Sequence, residues 1–130
     1  MALYLHNCAE FVVADVAVAR LGAVKVPVNH MLPEATVAHV LAAAGVRAMV
    51  LGTGLAAAGL RAAAAVPGAV VLQVDDGAGP PAPGVAAVTG LPDVAPAPLD
   101  VPRADPRDRA VLYFTGGTTG LPKGVVHSQA

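Results

Sequence analysis

The chain has 130 residues, of which 55% are hydrophobic, 13% charged and 3% aromatic, against roughly 25% charged in a typical soluble domain. Eight Lys and Arg stand against nine Asp and Glu, a net charge of −1, with no basic cluster, which argues against a nucleic-acid or acidic-membrane partner. No signal peptide is legible at Met1–Glu10, and the longest charge-free apolar stretches, such as Ala48–Leu60, fall short of the ~18 residues that span a bilayer.

Length alone suggests one domain. With 29 alanines, 22 valines, 13 leucines and no isoleucine or tryptophan, its core is expected to be small-grained. The single cysteine, Cys8, excludes an internal disulfide and suits a reducing, cytoplasmic compartment.

Ala2–Leu5 reads as a strand. Cys8–Leu21 follows as a helix with Phe11, Ala14, Val18 and Leu21 on one face, and Gly22 stands where a helix C-terminal glycine belongs. Ala23–Val28 is strand-like, although Pro27 marks its end or an edge. Pro33 and Glu34 open a second helix carrying Val37, Val40, Leu41 and Ala44 at i, i+3, i+4 and i+7. Arg47–Leu51 is a strand, Leu55–Val66 an alanine-rich helix and Ala69–Val74 another strand. Strands joined by single helices imply an α/β fold: a parallel sheet of right-handed βαβ units.

Between Asp75 and Arg109 lie eight of the twelve prolines, and no periodicity survives. This stretch reads as a surface excursion or linker. Ala110–Phe114 then predicts a buried strand, and Gly124–Ser128 the start of another.

Between those strands lies Thr115-Gly116-Gly117-Thr118-Thr119-Gly120-Leu121-Pro122-Lys123-Gly124. Its glycines leave backbone N–H groups uncovered and able to converge on an anion. Three threonine hydroxyls add donors, and Lys123 adds a point charge suited to a polyphosphate. A loop after a strand of an open α/β sheet lies where such sheets bind ligands. The segment is not a Walker loop, which needs Gly before Lys and Ser or Thr after it; here Pro122 precedes and Gly124 follows.

This segment resembles the phosphate-binding signature of the adenylate-forming, AMP-binding superfamily, which includes acyl-CoA synthetases. Leu5-His6-Asn7-Cys8-Ala9-Glu10-Phe11, Arg20-Leu21-Gly22-Ala23-Val24 and Val26-Pro27-Val28-Asn29 resemble that family's first block. Asp105-Pro106-Arg107-Asp108-Arg109-Ala110 is similar to the acidic lead-in to its loop strand. The resemblance implies that Thr115, Thr118 and Thr119, with the amides of Gly116, Gly117 and Gly120, hold the β- and γ-phosphates of ATP. It also implies that Lys123 stabilises the pyrophosphate leaving group.

The implied reaction is attack of a small-molecule carboxylic acid on the α-phosphorus, giving an acyl-adenylate, with Mg2+ as cofactor. A thiol, commonly coenzyme A, then displaces AMP. Gly116 stands where many relatives have serine, and Gln129 where histidine is frequent. Residues 1–130 are expected to be part of the N-terminal adenylation domain, with 75–109 an excursion within it. The family's remaining site groups and C-terminal domain are expected beyond Ala130, so no catalytic residue is assigned within these residues and the chain alone is expected to be inactive.

Two other readings stay open. Gly52-Thr53-Gly54-Leu55-Ala56-Ala57 fits a GxGxxA dinucleotide fingerprint, with Asp75 placed for a ribose hydroxyl. A non-catalytic nucleotide-binding remnant is the other. His6, His30, His39 and His127 show no metal-ligand spacing. Cys8, at a helix start, sits where a thiol pKa can be lowered, although a structural thiol is the simpler reading.

Overall fold

The computed structural model describes residues 1–88, 98, 100–101, 104–116 and 120–129. In chain order the elements are β1 (Ala2–Tyr4), α1 (Ala9–Arg20), β2 (Val26–Pro27), α2 (Glu34–Ala43), β3 (Ala48–Gly52), a 3-10 turn (Thr53–Leu55), α3 (Ala56–Ala63), β4 (Val70–Val74), β5 (Ala87–Val88), β6 (Arg109–Thr115) and β7 (Lys123–Ser128). The first five strands form one parallel sheet in the order β2-β1-β3-β4-β5. The α/β class with βαβ units is therefore the one the sequence predicts.

The period of two along β1 and β3 divides the core between the sheet's faces. Ala2, Tyr4, Met49 and Leu51 join Val37, Val40 and Leu41 of α2 and Ala62 of α3. Leu3, Leu5 and Val50 instead join Val18 of α1, with Phe11 and Ala14 packed against them. Gly59 brings α3 close to the sheet, since a Cβ there would sit 3.2 Å from Cδ1 of Tyr4. Leu21 departs from expectation. It lies past the helix as its C-cap and is 46% exposed.

Helices α1 and α2 end alike. Gly22 (φ +63°) donates to Ala19 and Ala23 donates to Val18; Gly45 (φ +58°) donates to Ala42 and Val46 to Leu41. This is the paired capping of a Schellman motif, and the positive φ is the reason for glycine at both sites.

β2 is shorter than the predicted Ala23–Val28 strand and stops at Pro27. Val28 N–H still donates to Leu3 O of β1 at 2.9 Å, whereas Pro27 has no N–H to extend the pairing that Lys25 makes on the other side with β6. The stretch from Asp75, read as lacking structure, contains β5. Its anchor is Gln73, whose fully buried amide donates to Ala82 O at 3.1 Å and accepts from Ala82 N at 2.9 Å. The Gln73 N–H also donates to Ala86 O at 2.8 Å.

β6 and β7 form an antiparallel hairpin. One parallel bridge, Lys25 to Val111, ties β6 beside β2, with Lys25 N–H to Ala110 O at 2.9 Å and Leu112 N–H to Lys25 O at 2.8 Å. Lys25 also ion-pairs with Asp15 of α1. The predicted buried strand at Ala110–Phe114 is only partly buried, and β7 is exposed along its length. Leu112 and Phe114 pack against the α2–α3 side of the core, whereas Tyr113 points outward.

Candidate functional site at the carboxyl edge

Because β6 runs parallel to β2, the loop after it emerges at the same edge of the sheet as the loops after β1, β3 and β4. That edge is where open α/β sheets take ligands. The hairpin register sets Thr115 directly opposite Lys123, and residues directly opposite in an antiparallel pair share a face. The two ends of the predicted phosphate loop thus face each other.

Among the described residues, no atom beyond their chain neighbours lies within 4 Å of where a Cβ on Gly116 or Gly120 would stand. Thr115, Gly116, Gly120 and Lys123 are exposed, and no ion pair among the described residues involves Lys123. Uncovered amides and an uncommitted ammonium fit the donor set a polyphosphate requires. Gly117, Thr118 and Thr119 lie outside the described residues.

The turn after β3 is different. Oδ1 of Asp76 accepts hydrogen bonds from Gly54 N–H (2.9 Å), Thr53 Oγ1 (3.0 Å) and Ala78 N–H (3.2 Å), while Oδ2 meets His6 Nδ1 at 2.8 Å. Burial pushes this carboxyl upward, yet the Gly54 amide, the His6 imidazole, the Thr53 hydroxyl and the Ala78 amide outweigh it. Together they hold its pKa down at about 2.

A Cβ on Gly52 would run into the Asp76 carboxylate, and one on Gly54 into Ala78 and the His6 ring. The GxGxxA turn is thus filled by the protein's own side chains where a dinucleotide would need open backbone. Asp75, the residue expected to meet a ribose, instead accepts from Gly77 N–H at 2.9 Å. The dinucleotide reading is not favoured.

Asp76 and His6 are the residues sequence reasoning missed. The usable signal was position: each lies two residues past the end of a parallel strand, β1 or β4, at the ligand-binding edge. Next to them, a cleft of about 360 Å3 is lined by Asn7, Phe11, Asn29, His30, Tyr113 and Phe114. The His6 and His30 rings lie 5.0 Å apart between centroids.

His127, on β7, meets Tyr113 edge-on at 5.6 Å. Among the described residues no group of three His, Cys, Asp or Glu side chains is arranged to hold a metal. Burial pushes the Cys8 thiol up, reinforced by Glu10 and only partly opposed by backbone hydrogen bonds from Phe11 and Glu10. That direction is opposite to the lowering a helix start can give, and Cys8 packs against the Leu3, Leu5 and Val18 cluster. Among the described residues no helix is long and apolar enough to cross a membrane.

The sequence pattern of the AMP-binding enzyme family matches residues 1–130. The chain is 32% identical to a 4-chlorobenzoate–CoA ligase from Pseudomonas sp. (strain CBS-3), over 99% of this chain and 23% of that protein. It is 34% identical to an isonitrile lipopeptide synthase from Mycobacterium tuberculosis, over 96% of this chain and 4% of that protein. The chain thus spans a quarter or less of either relative. Among solved structures, the amide bond synthetase McbA from Marinactinospora thermotolerans superposes with a TM-score of 0.74 at 29% identity, covering 98% of this chain and 24% of that one.

Proposed function

The chain belongs to the AMP-binding enzyme family, and on that premise we propose that it forms the phosphate-holding part of an ATP-dependent ligase that activates a carboxylic acid. The pairing of Thr115 with Lys123 at the carboxyl edge, with the exposed Gly116 and Gly120 between them in sequence, carries this reading. Thr115, Thr118 and Thr119, with the amides of Gly116, Gly117 and Gly120, hold the β- and γ-phosphates. Lys123 meets the charge that gathers on the leaving pyrophosphate.

In the reaction, a substrate carboxylate oxygen bonds to the α-phosphorus as the bond to the pyrophosphate oxygen breaks. Negative charge moves onto the leaving group, and preorganised donors lower the barrier because they need no reorientation at that moment. Mg2+, when bound, neutralises phosphate charge; no residue of this chain is assigned to it. The acyl-adenylate then passes its acyl group to a thiol. Coenzyme A is our choice of acceptor, supported by the likeness to the chlorobenzoate ligase. We read residues 1–130 as part of the N-terminal adenylation domain, with 75–109 an excursion within it, working in the cytoplasm.

The test is ATP–pyrophosphate exchange by the complete protein across a panel of carboxylic acids. Exchange that depends on one class of acid supports the reading. No exchange with any acid sinks it and leaves a non-catalytic nucleotide binder.

A further inference from the structure

At the carboxyl edge the ends of β1, β3 and β4 are tied to one side chain, that of Asp76, which is itself 0% exposed. The tie holds through Gly54 and Thr53 after β3, and through His6 after β1. An ionised carboxylate only accepts hydrogen bonds. The proton shared with His6 therefore belongs to the imidazole, which requires the tautomer with hydrogen on Nδ1 and fixes the plane of the ring.

The fixed ring bears on His30, tilted 60° to it at 5.0 Å. His30 lines the cleft together with Asn7, the neighbour of His6, and Asn29. The lining of that cleft also includes Phe114, the residue before Thr115, where the phosphate loop begins. We propose that Asp76 and His6 are positioning residues for this cleft: Asp76 locks His6 as the Nδ1–H tautomer, and His6 holds the His30 ring on the polar rim facing the substrates. The catalytic part of this role rests on the ligase reading above.

His6→Asn separates the two functions, since its short amide can still donate to Asp76 but offers no ring to His30. Two measurements decide. In long-range proton–nitrogen NMR spectra of the imidazoles, His6 is expected as the Nδ1–H tautomer. The His30 signals should shift in both His6→Asn and Asp76→Asn, although Asp76 is bonded to His6 and not to His30.

In pyrophosphate exchange by the complete protein, His6→Asn should raise KM for ATP or the acid about tenfold, with kcat within about twofold and the melting temperature unchanged. His30→Ala should do the same, and the double variant should add little, as coupled neighbours do. An Nε2–H tautomer, an unmoved His30 signal, or an unchanged KM in an exchanging enzyme overturns the proposal. A wild type that exchanges nothing overturns the ligase reading and the kinetic role, and the NMR result then decides the Asp76–His6–His30 geometry by itself.

Discussion

The backbone N–H of Gly54 donates to Oδ1 of Asp76 at 2.9 Å, so a turn that reads as a nucleotide fingerprint is occupied from within. Both glycines of the motif are explained by what the carboxylate brings with it: no side chain fits at Gly52 or Gly54 without displacing Asp76, Ala78 or His6.

Gly52→Ala and Gly54→Ala should each destabilise the fold by about 1–3 kcal/mol through overpacking, read by urea denaturation. A nicotinamide dinucleotide should not bind. Binding that Gly54→Ala abolishes, with stability unaltered, would contradict the self-filled turn.

Asp76 sets an acid limit on stability. Its folded pKa of about 2 lies below the ordinary 3.8, so its contribution is fully present above the unfolded value and is lost as pH falls through the folded one. Asp76→Asn should cost about 1–3 kcal/mol at neutral pH. The gap between wild type and variant should narrow progressively as pH falls from about 4 toward about 2. A gap independent of pH down to about 2 would mean that the carboxylate charge is not the stabilising element.

Lys123 is exposed and outside every ion pair among the described residues. Lys123→Ala should therefore leave stability within about 0.5 kcal/mol. Adenylation should nevertheless slow on the order of 10²-fold, as when a preorganised charge-stabilising donor is removed. Thioester formation from supplied acyl-adenylate should change far less; equal losses in both half-reactions would remove the pyrophosphate role.

Gln73 pins the chain after β4 from beneath. Gln73→Leu leaves Ala82 N–H and C=O without their partner, a loss of about 1–3 kcal/mol. Hydrogen exchange should accelerate at residues 82–88 in particular. Protection unchanged there would show that β5 holds without the amide.

The α/β class and its helix ends were legible because their causes are local. Gly22 and Gly45 supply positive φ where α1 and α2 must stop. The alternation of Ala2, Leu3, Tyr4 and Leu5 between two cores is written in a period of two. The loop from Thr115 to Lys123 was singled out by residue type alone, and its proposed role toward a polyphosphate rests on those types and on the facing of Thr115 and Lys123.

What was not legible depends on contacts between distant residues. Asp75 and Asp76 are adjacent and chemically alike, and only their different partners separate a turn-capping carboxylate from a buried one. β5 exists because Gln73 reaches nine residues ahead. By itself the sequence determined the helices α1 to α3, most of the strands and the α/β class, for these follow from side-chain type and spacing, and it singled out the loop from Thr115 to Lys123 as the one to test against a polyphosphate. Only the tertiary structure decided which edge that loop shares, through the Lys25–Val111 bridge, and that Gly52–Gly54 is closed, because hydrogen bonds across 22 and 70 residues of chain appear only once the sheet is assembled.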